Sequence, residues 1–243
     1  MSGELEGRVA VVTGASGGMG TAICEVFRRE GATVLGVDLH GESFFEADVG
    51  TEEGNRSMIE AAVARNGKLD TLVLNAGSQF LAPIEQFPEE EWDRLFDVLV
   101  KGPHLAIKAA WPHLTERPGG RIVVTASALA VIGEEYKAAY AAAKHAVVGL
   151  VKVAALEGAR HALCANAVAP GLVWTGLMER QIEEQMRLRS LSRDEVIARI
   201  ELFQPGRAVT AHEVAEVMAF LASDRASGIS GACVPVDVGF LVS

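Results

Sequence analysis

The absences in this sequence narrow it first. Its 243 residues hold only three cysteines, Cys24, Cys164 and Cys233, far apart and without a Cys-x-x-Cys pair. That argues against a disulfide framework or a zinc site and suits buried free thiols in a reducing compartment. No Lys/Arg-rich run occurs, and the net charge is −10, so nucleic acid and anionic membranes make poor partners. The N-terminal MSGELEGR lacks an apolar signal core. The longest uncharged stretch, 161–178 with His161 taken as neutral, is broken by Asn166 and Pro170-Gly171 and does not read as a membrane span. A soluble, cytoplasmic protein is expected. No internal repeat, low-complexity tract or linker divides the chain. Tyrosine is scarce too: Tyr136 and Tyr140 are the only two.

What is present is apolar and periodic. Hydrophobic residues make up 49% of the chain, enough for a sizeable core. Near-continuous Val/Leu/Ile runs at 8–14, 32–38, 69–77, 120–127, 163–171 and 231–239 read as parallel strands buried on both faces. Helical patterns lie between them at about 18–30, 51–66, 88–113, 137–160 and 211–222. Pro88 before a Glu run suits a first helical turn; Ser192 with Glu195, and Thr210 with Glu213, have capping-box spacing. The alternation predicts an α/β doubly wound parallel sheet. Only nine residues separate Asp38 from Asp48, too few for a crossover helix, so an extended loop with a short strand near 44–47 is expected there. Conversely, the charged, helical-patterned excursion at 175–204 is well placed for a substrate lid.

The stretch VVTGASGGMGTAI follows a strand and opens a helix. Gly14, Gly18 and Gly20 would allow a tight turn and the close approach of a pyrophosphate to the helix N-terminus. Plain strand–helix packing or an S-adenosylmethionine site would use a similar turn. Asp38 ends the second apolar run about twenty residues on, where a carboxylate can accept hydrogen bonds from an adenosine ribose. A ribose 2′-phosphate would meet like charge there, and position 17 is glycine rather than arginine, so NAD is favoured over NADP. Asp48 could bind adenine or serve as an exposed cap.

Tyr140 and Lys144 stand four apart in the 137–160 helical pattern and so share a face. A phenol titrates near 10, and lowering that by ~3 units requires about 4 kcal/mol of differential stabilisation. The ammonium and a cationic nicotinamide together could supply it in a dry pocket. Tyr136 is read onto the same face, but eight residues from Lys144. The set Thr13-Gly14…Gly18…Gly20, Asn75-Ala76-Gly77, Ser127, Tyr140-x-x-x-Lys144 and Pro170-Gly171 resembles the short-chain dehydrogenase/reductase family across essentially the whole chain. Ser127 stands thirteen residues before Tyr140, the spacing usual in that family.

The resemblance implies a single-domain Rossmann fold over 1–243, a doubly wound parallel sheet with a helical lid near 175–204, and a metal-free oxidoreductase. In that reading Tyr140 takes the alcohol proton, Ser127 hydrogen-bonds the reacting oxygen, and Lys144 holds the nicotinamide ribose and lowers the phenol's pKa. The cofactor-binding residues it implies are Gly14, Ser16, Gly18, Met19 and Gly20 in the turn, Asp38, Asp48 and Val49, then Asn75, Ala76 and Gly77. Tyr140 and Lys144, followed by Pro170, Gly171, Val173 and Thr175, complete the set. It also suggests a homotetramer. The stretches 75–93, 137–157 and 178–185 look most like bacterial 3-hydroxybutyrate dehydrogenases, in which two glutamines, a lysine and a histidine hold the substrate carboxylate. Gln79, Gln181 and Lys137 match three of these positions; with Ser127 and Tyr140 they form the expected substrate site, and the histidine's position is Leu129.

Three further departures stand out. DVLVKG places Leu99 where the family carries an asparagine supporting a proton-relay water, and leucine cannot hydrogen-bond. Leu74 and Val238 replace another asparagine and a glycine. Three functions stay open at this point: an NAD-dependent dehydrogenase of 3-hydroxybutyrate or a related hydroxy acid, a dehydrogenase of a neutral alcohol, polyol or cyclic ketone, and an NAD-binding protein with little turnover.

Overall fold

The computed structural model describes residues 3–41, 43–203 and 207–242. Seven parallel strands form one sheet in the order β3-β2-β1-β4-β5-β6-β7. In chain order they are β1 (Val9–Thr13), β2 (Thr33–Asp38), β3 (Phe45–Glu46), β4 (Thr71–Leu74), β5 (Arg121–Thr125), β6 (Cys164–Pro170) and β7 (Cys233–Val236). β3 is the short strand expected near 44–47. Strand order reverses between β1 and β4, paired Val11 to Leu72, which opens a crevice at their carboxyl ends.

The helices are α1 (Gly18–Arg29), α2 (Glu52–Asn66), α3 (Glu89–Phe96), α4 (Gly102–Thr115), α5 (Ala138–Gly158), α6 (Gly176–Arg189), α7 (Arg193–Phe203) and α8 (Ala211–Ala222). Alternate strand residues point to opposite faces, so each face builds its own core. Val11 and Leu72 pack with Met58, Ile107 and Val151 of α2, α4 and α5. Ala10 and Val12 pack with Ile23, Phe27 and Met218 of α1 and α8. Thr210 and Glu213 close the expected capping box on α8. Ser192 and Glu195 exchange the matching bonds before α7, Ser192 N–H to Glu195 Oε2 at 2.8 Å and Glu195 N–H to Ser192 Oγ at 3.3 Å. With the turn after it, α5 is the one described helix long and apolar enough to cross a membrane, yet its buried face is core.

Two expectations need correction. The helix expected over 88–113 is split by a π-turn at Asp97–Lys101. Pro103 lacks the N–H that would bond to the Leu99 carbonyl in an α-helix, and its ring clashes with that carbonyl. The chain accommodates this by widening the turn ahead of it. Tyr136, read onto the face of Tyr140 and Lys144, lies before α5 with φ of 71°, off the helix altogether.

The excursion at 175–204 folds as α6 and α7, with Met178 and Ile182 packed on Val196; residue 204 lies outside the described residues. A parallel bridge between Val173 and Val209 ties its base to the body of the protein.

Candidate active site

The crevice at the carboxyl ends of the strands is the mouth of a cavity of about 1070 Å³. Every site residue expected from the sequence lines it, although they come from seven separate stretches of chain. At one end, Gly14 turns with φ of +67°, and a Cβ there would stand 2.7 Å from the Ala76 Cα. A Cβ on Gly20 would sit 1.9 Å from the Gly14 carbonyl oxygen. No side chain caps the α1 N-terminus, where Gly17 is N-cap, so the first-turn N–H groups at Gly18, Met19 and Gly20 face the crevice without a side-chain acceptor. That cradle suits a phosphate.

Asp38 lies beyond the cradle. Its Oδ2 accepts from Ser16 N–H at 2.9 Å and Ser16 Oγ–H at 2.7 Å, and its Oδ1 from Leu39 N–H at 2.8 Å. The carboxylate is thereby fixed where an adenosine ribose would lie. Asp48 is exposed and accepts from Gly50 N–H at 2.8 Å. It thus structures the approach to α2 while lining the cavity beside Val49. Asn75 donates to the Thr13 and Gly14 carbonyls at 3.2 and 3.3 Å and accepts from Thr125 Oγ1–H at 3.1 Å, locking β1, β4 and β5 together at the crevice. Thr175 packs against the turn, its Cγ2 3.2 Å from where a Gly18 Cβ would be, with Pro170, Gly171 and Val173 leading to it. Cradle, fixed carboxylate and the Lys144 ammonium fit a nicotinamide dinucleotide.

At the centre stand Ser127, Tyr140 and Lys144. Ser127 Oγ accepts from Leu129 N–H at 3.1 Å, which leaves its own O–H to donate. Tyr140 is buried, with Ser127 and Gln79 as the polar side chains that act on its hydroxyl. Lys144 Nζ donates to the Thr125 carbonyl at 2.6 Å and lies 5.5 Å from the Tyr140 ring centroid. The electrostatics differ from the sequence expectation. Burial raises the Tyr140 pKa, against the opposing effect of Ser127 and Gln79, and Lys144 does not offset it. Burial also pushes Lys144 itself down to about 8. Two groups that each lose solvation cannot simply support one another; a further positive charge is needed to favour the phenolate.

The remaining end holds the expected substrate contacts. Lys137 is buried, and its Nζ donates to Gln181 Oε1 and Glu134 Oε2, both at 3.0 Å. Gln79 Oε1 is buried without a hydrogen-bond partner. Leu99 and Leu129 occupy one apolar cluster with Leu95, Ala139, Tyr140 and Ala143. Leu99 is 2% exposed and packs near Gly77, whose Cβ would meet its Cδ2 at 3.1 Å. The two departures from the family pattern therefore share the apolar cluster that holds the tyrosine. Sequence reasoning missed Gln185 and Arg189, which also line the cavity. Their four-residue intervals after Gln181 were the available signal. It also missed Glu134 and Glu135, which a loop brings in.

Comparison with known proteins agrees over nearly the full length. The family model described as enoyl-(acyl carrier protein) reductase matches residues 14–241. The chain is 37% identical to an uncharacterised oxidoreductase, YxjF, of Bacillus subtilis (strain 168), over 96% of this chain and 98% of that one. It is 34% identical to D-beta-hydroxybutyrate dehydrogenase of Rhizobium meliloti (strain 1021), again over 96% and 98%. The structure of an NAD⁺-bound xylitol dehydrogenase superposes with a TM-score of 0.92 at 30% identity, covering 97% of this chain and 99% of that one.

Proposed function

The chain belongs to the short-chain dehydrogenase/reductase family, and from that premise we propose that it is an NAD-dependent dehydrogenase of a small hydroxy acid, 3-hydroxybutyrate or a close relative. It is an oxidoreductase of the class that acts on secondary alcohols and polyols. The observation that carries the finer reading is the cationic substrate end. Lys137 is buried with its Nζ on Gln181. Gln79 lines the same cavity together with Arg94, Arg180, Arg189 and Arg199, of which Arg94 is paired with Glu91 and Arg189 with Glu135, in a protein of net charge −10. Local positive charge against an acidic whole focuses an anion into the crevice. The choice of NAD rests on Asp38, whose charge opposes a 2′-phosphate.

The bound cofactor would supply the hydride acceptor and a positive ring. Tyr140 Oη accepts the substrate hydroxyl proton as the carbinol carbon gives up its hydrogen with the bonding pair, leaving a carbonyl. Ser127 Oγ–H donates to the reacting oxygen and stabilises its developing charge. Lys144, anchored on the Thr125 carbonyl, is set to hold the nicotinamide ribose hydroxyls. Leu99 and Leu129 exclude water, which strengthens each of these interactions. Residues 1–243 act as one domain in this reading. Leu156 and Val153, 79% and 50% exposed on the outer face of α5, support an oligomer, taken as a homotetramer.

A second reading is favoured by Leu129. With leucine where an anion-binding histidine is expected, a neutral alcohol or polyol becomes the substrate and the chemistry is unchanged. Lys137→Ala separates the two. It should lower kcat/KM for 3-hydroxybutyrate roughly 10- to 100-fold, the scale of a charge-assisted hydrogen bond, and affect a neutral alcohol much less. Equal losses on both substrates would sink the hydroxy-acid reading.

A further inference from the structure

We propose that the substrate site continues along α6 and takes a second acidic group, so that the preferred substrate is a hydroxy acid carrying a further carboxylate. This rests on the hydroxy-acid reading above and deepens it. Gln181, Gln185 and Arg189 recur at intervals of four on α6, sharing one face with steps of about 6 Å. Gln181 is engaged, its Oε1 accepting from Lys137 Nζ at 3.0 Å. Gln185 is different: it is 6% exposed and lines the cavity, and no hydrogen bond is made by its side chain among the described residues. Its amide atoms are not sealed in the interior; they reach the cavity, where an acceptor on a ligand can pair with them.

One step further, the Arg189 guanidinium lies 4.7 Å from the Tyr136 ring centroid, and its Nη1 pairs with Glu135 Oε2 at 2.8 Å. Its Nε is buried with no acceptor. The guanidinium is thus held in place where it lines the cavity, and Arg180 and Arg199, both exposed, line it too. Glu134 and Glu135 balance Lys137 and Arg189, which leaves a positive surplus centred on Arg180 and Arg199 that Glu184 only partly offsets. One carboxylate at Lys137 and Gln181 does not account for that surplus or for Gln185. A second carboxylate about 6 Å or more along the helix would accept from the Gln185 amide and sit in the arginine field. An alkyl tail would leave the Gln185 amide unpaired, which is how a polar site rejects an apolar ligand.

The test compares NADH formation from 3-hydroxyadipate and 3-hydroxyhexanoate, acids of equal chain length that differ in the far carboxylate. The expected kcat/KM ratio is about tenfold or more in favour of the diacid, the scale of one charge-assisted hydrogen bond. Gln185→Leu should shrink that ratio several-fold. Arg189→Gln should do the same, but it also loosens the contacts with Glu135 and Tyr136, so Gln185→Leu is the deciding variant. Calorimetric binding of adipate against hexanoate to the protein–NAD complex gives a readout independent of turnover and should show the same order. A ratio of one or less, or a ratio that Gln185→Leu leaves unmoved, would overturn the second acidic site while the hydroxy-acid reading stands. Silence with both acids beside brisk oxidation of neutral alcohols overturns both.

Discussion

The two ends of the cavity are built in opposite ways. The nucleotide end is backbone: a left-handed Gly14, a Gly20 pressed on the Gly14 carbonyl, uncapped N–H groups of α1, and an Asp38 carboxylate fixed by Ser16 and Leu39. The substrate end is side chain: a tyrosine clustered with Leu99 and Leu129, a lysine bridged to α6 by Gln181, and arginines on the excursion after β6. Backbone geometry tolerates little change, whereas cavity-lining side chains on a helix outside the sheet's two cores can be exchanged one by one. A fold can thus hold its cofactor fixed and vary what it oxidises.

The sharpest way to break the comparison is at the point where the ends meet. Tyr140→Phe removes one oxygen and leaves the ring in its apolar cluster. NADH formation should fall about 10²- to 10⁴-fold, the worth of a positioned acid–base group, as read by steady-state kinetics. Next in size is Gly20→Ala. A Cβ 1.9 Å from the Gly14 carbonyl must push the turn open, costing roughly 1–3 kcal/mol of stability. It should weaken NAD binding in calorimetry while the substrate end is untouched in sequence.

Lys144 gives a pH signature. Its pKa falls from 10.5 to about 8 on burial, so between those values the unfolded chain binds more protons than the folded one. Stability from this group therefore rises with pH across that window, by up to roughly 3 kcal/mol at its upper end. Denaturant midpoints from pH 7 to 10 should show the rise, and Lys144→Met should flatten it. The smallest effect lies at the margin. Val238 adopts φ of +50°, a conformation in which a β-branched residue is strained by about 1–2 kcal/mol. Val238→Gly should relieve that strain, partly offset by the flexibility that glycine adds to the unfolded chain, and raise Tm by a few degrees.

The same contrast explains what could be read from the sequence. The six long strands, the short β3 and the nucleotide turn were legible because strand runs, glycine spacing and Asp38 are local signals. Gln79, Ser127, Lys137 and Gln181 stand out only through family resemblance, since 102 positions separate Gln79 from Gln181 in the chain, whereas Tyr140 also stands out by its spacing to Lys144. The π-turn had a signal in Gly102-Pro103, but helical periodicity outweighed it. Tyr136 was misplaced because its left-handed backbone is unusual for a tyrosine. That Leu99 and Leu129 share one apolar cluster with Tyr140 is a tertiary fact, and no period or motif encodes it. The depressed phenol pKa is expected with a cationic nicotinamide beside Lys144; in the protein alone burial raises it, and burial, unlike pairing at i and i+4, is not visible in the sequence.

The most direct test is wild-type kcat/KM, followed by NADH absorbance, for each enantiomer of 3-hydroxybutyrate against neutral secondary alcohols of similar size. Fast oxidation of one enantiomer, well above any neutral alcohol, is the predicted result, and it would show that the apolar cluster at Leu99 and Leu129 is compatible with turnover. Oxidation confined to neutral alcohols, or no oxidation at all with NAD bound, would contradict the account.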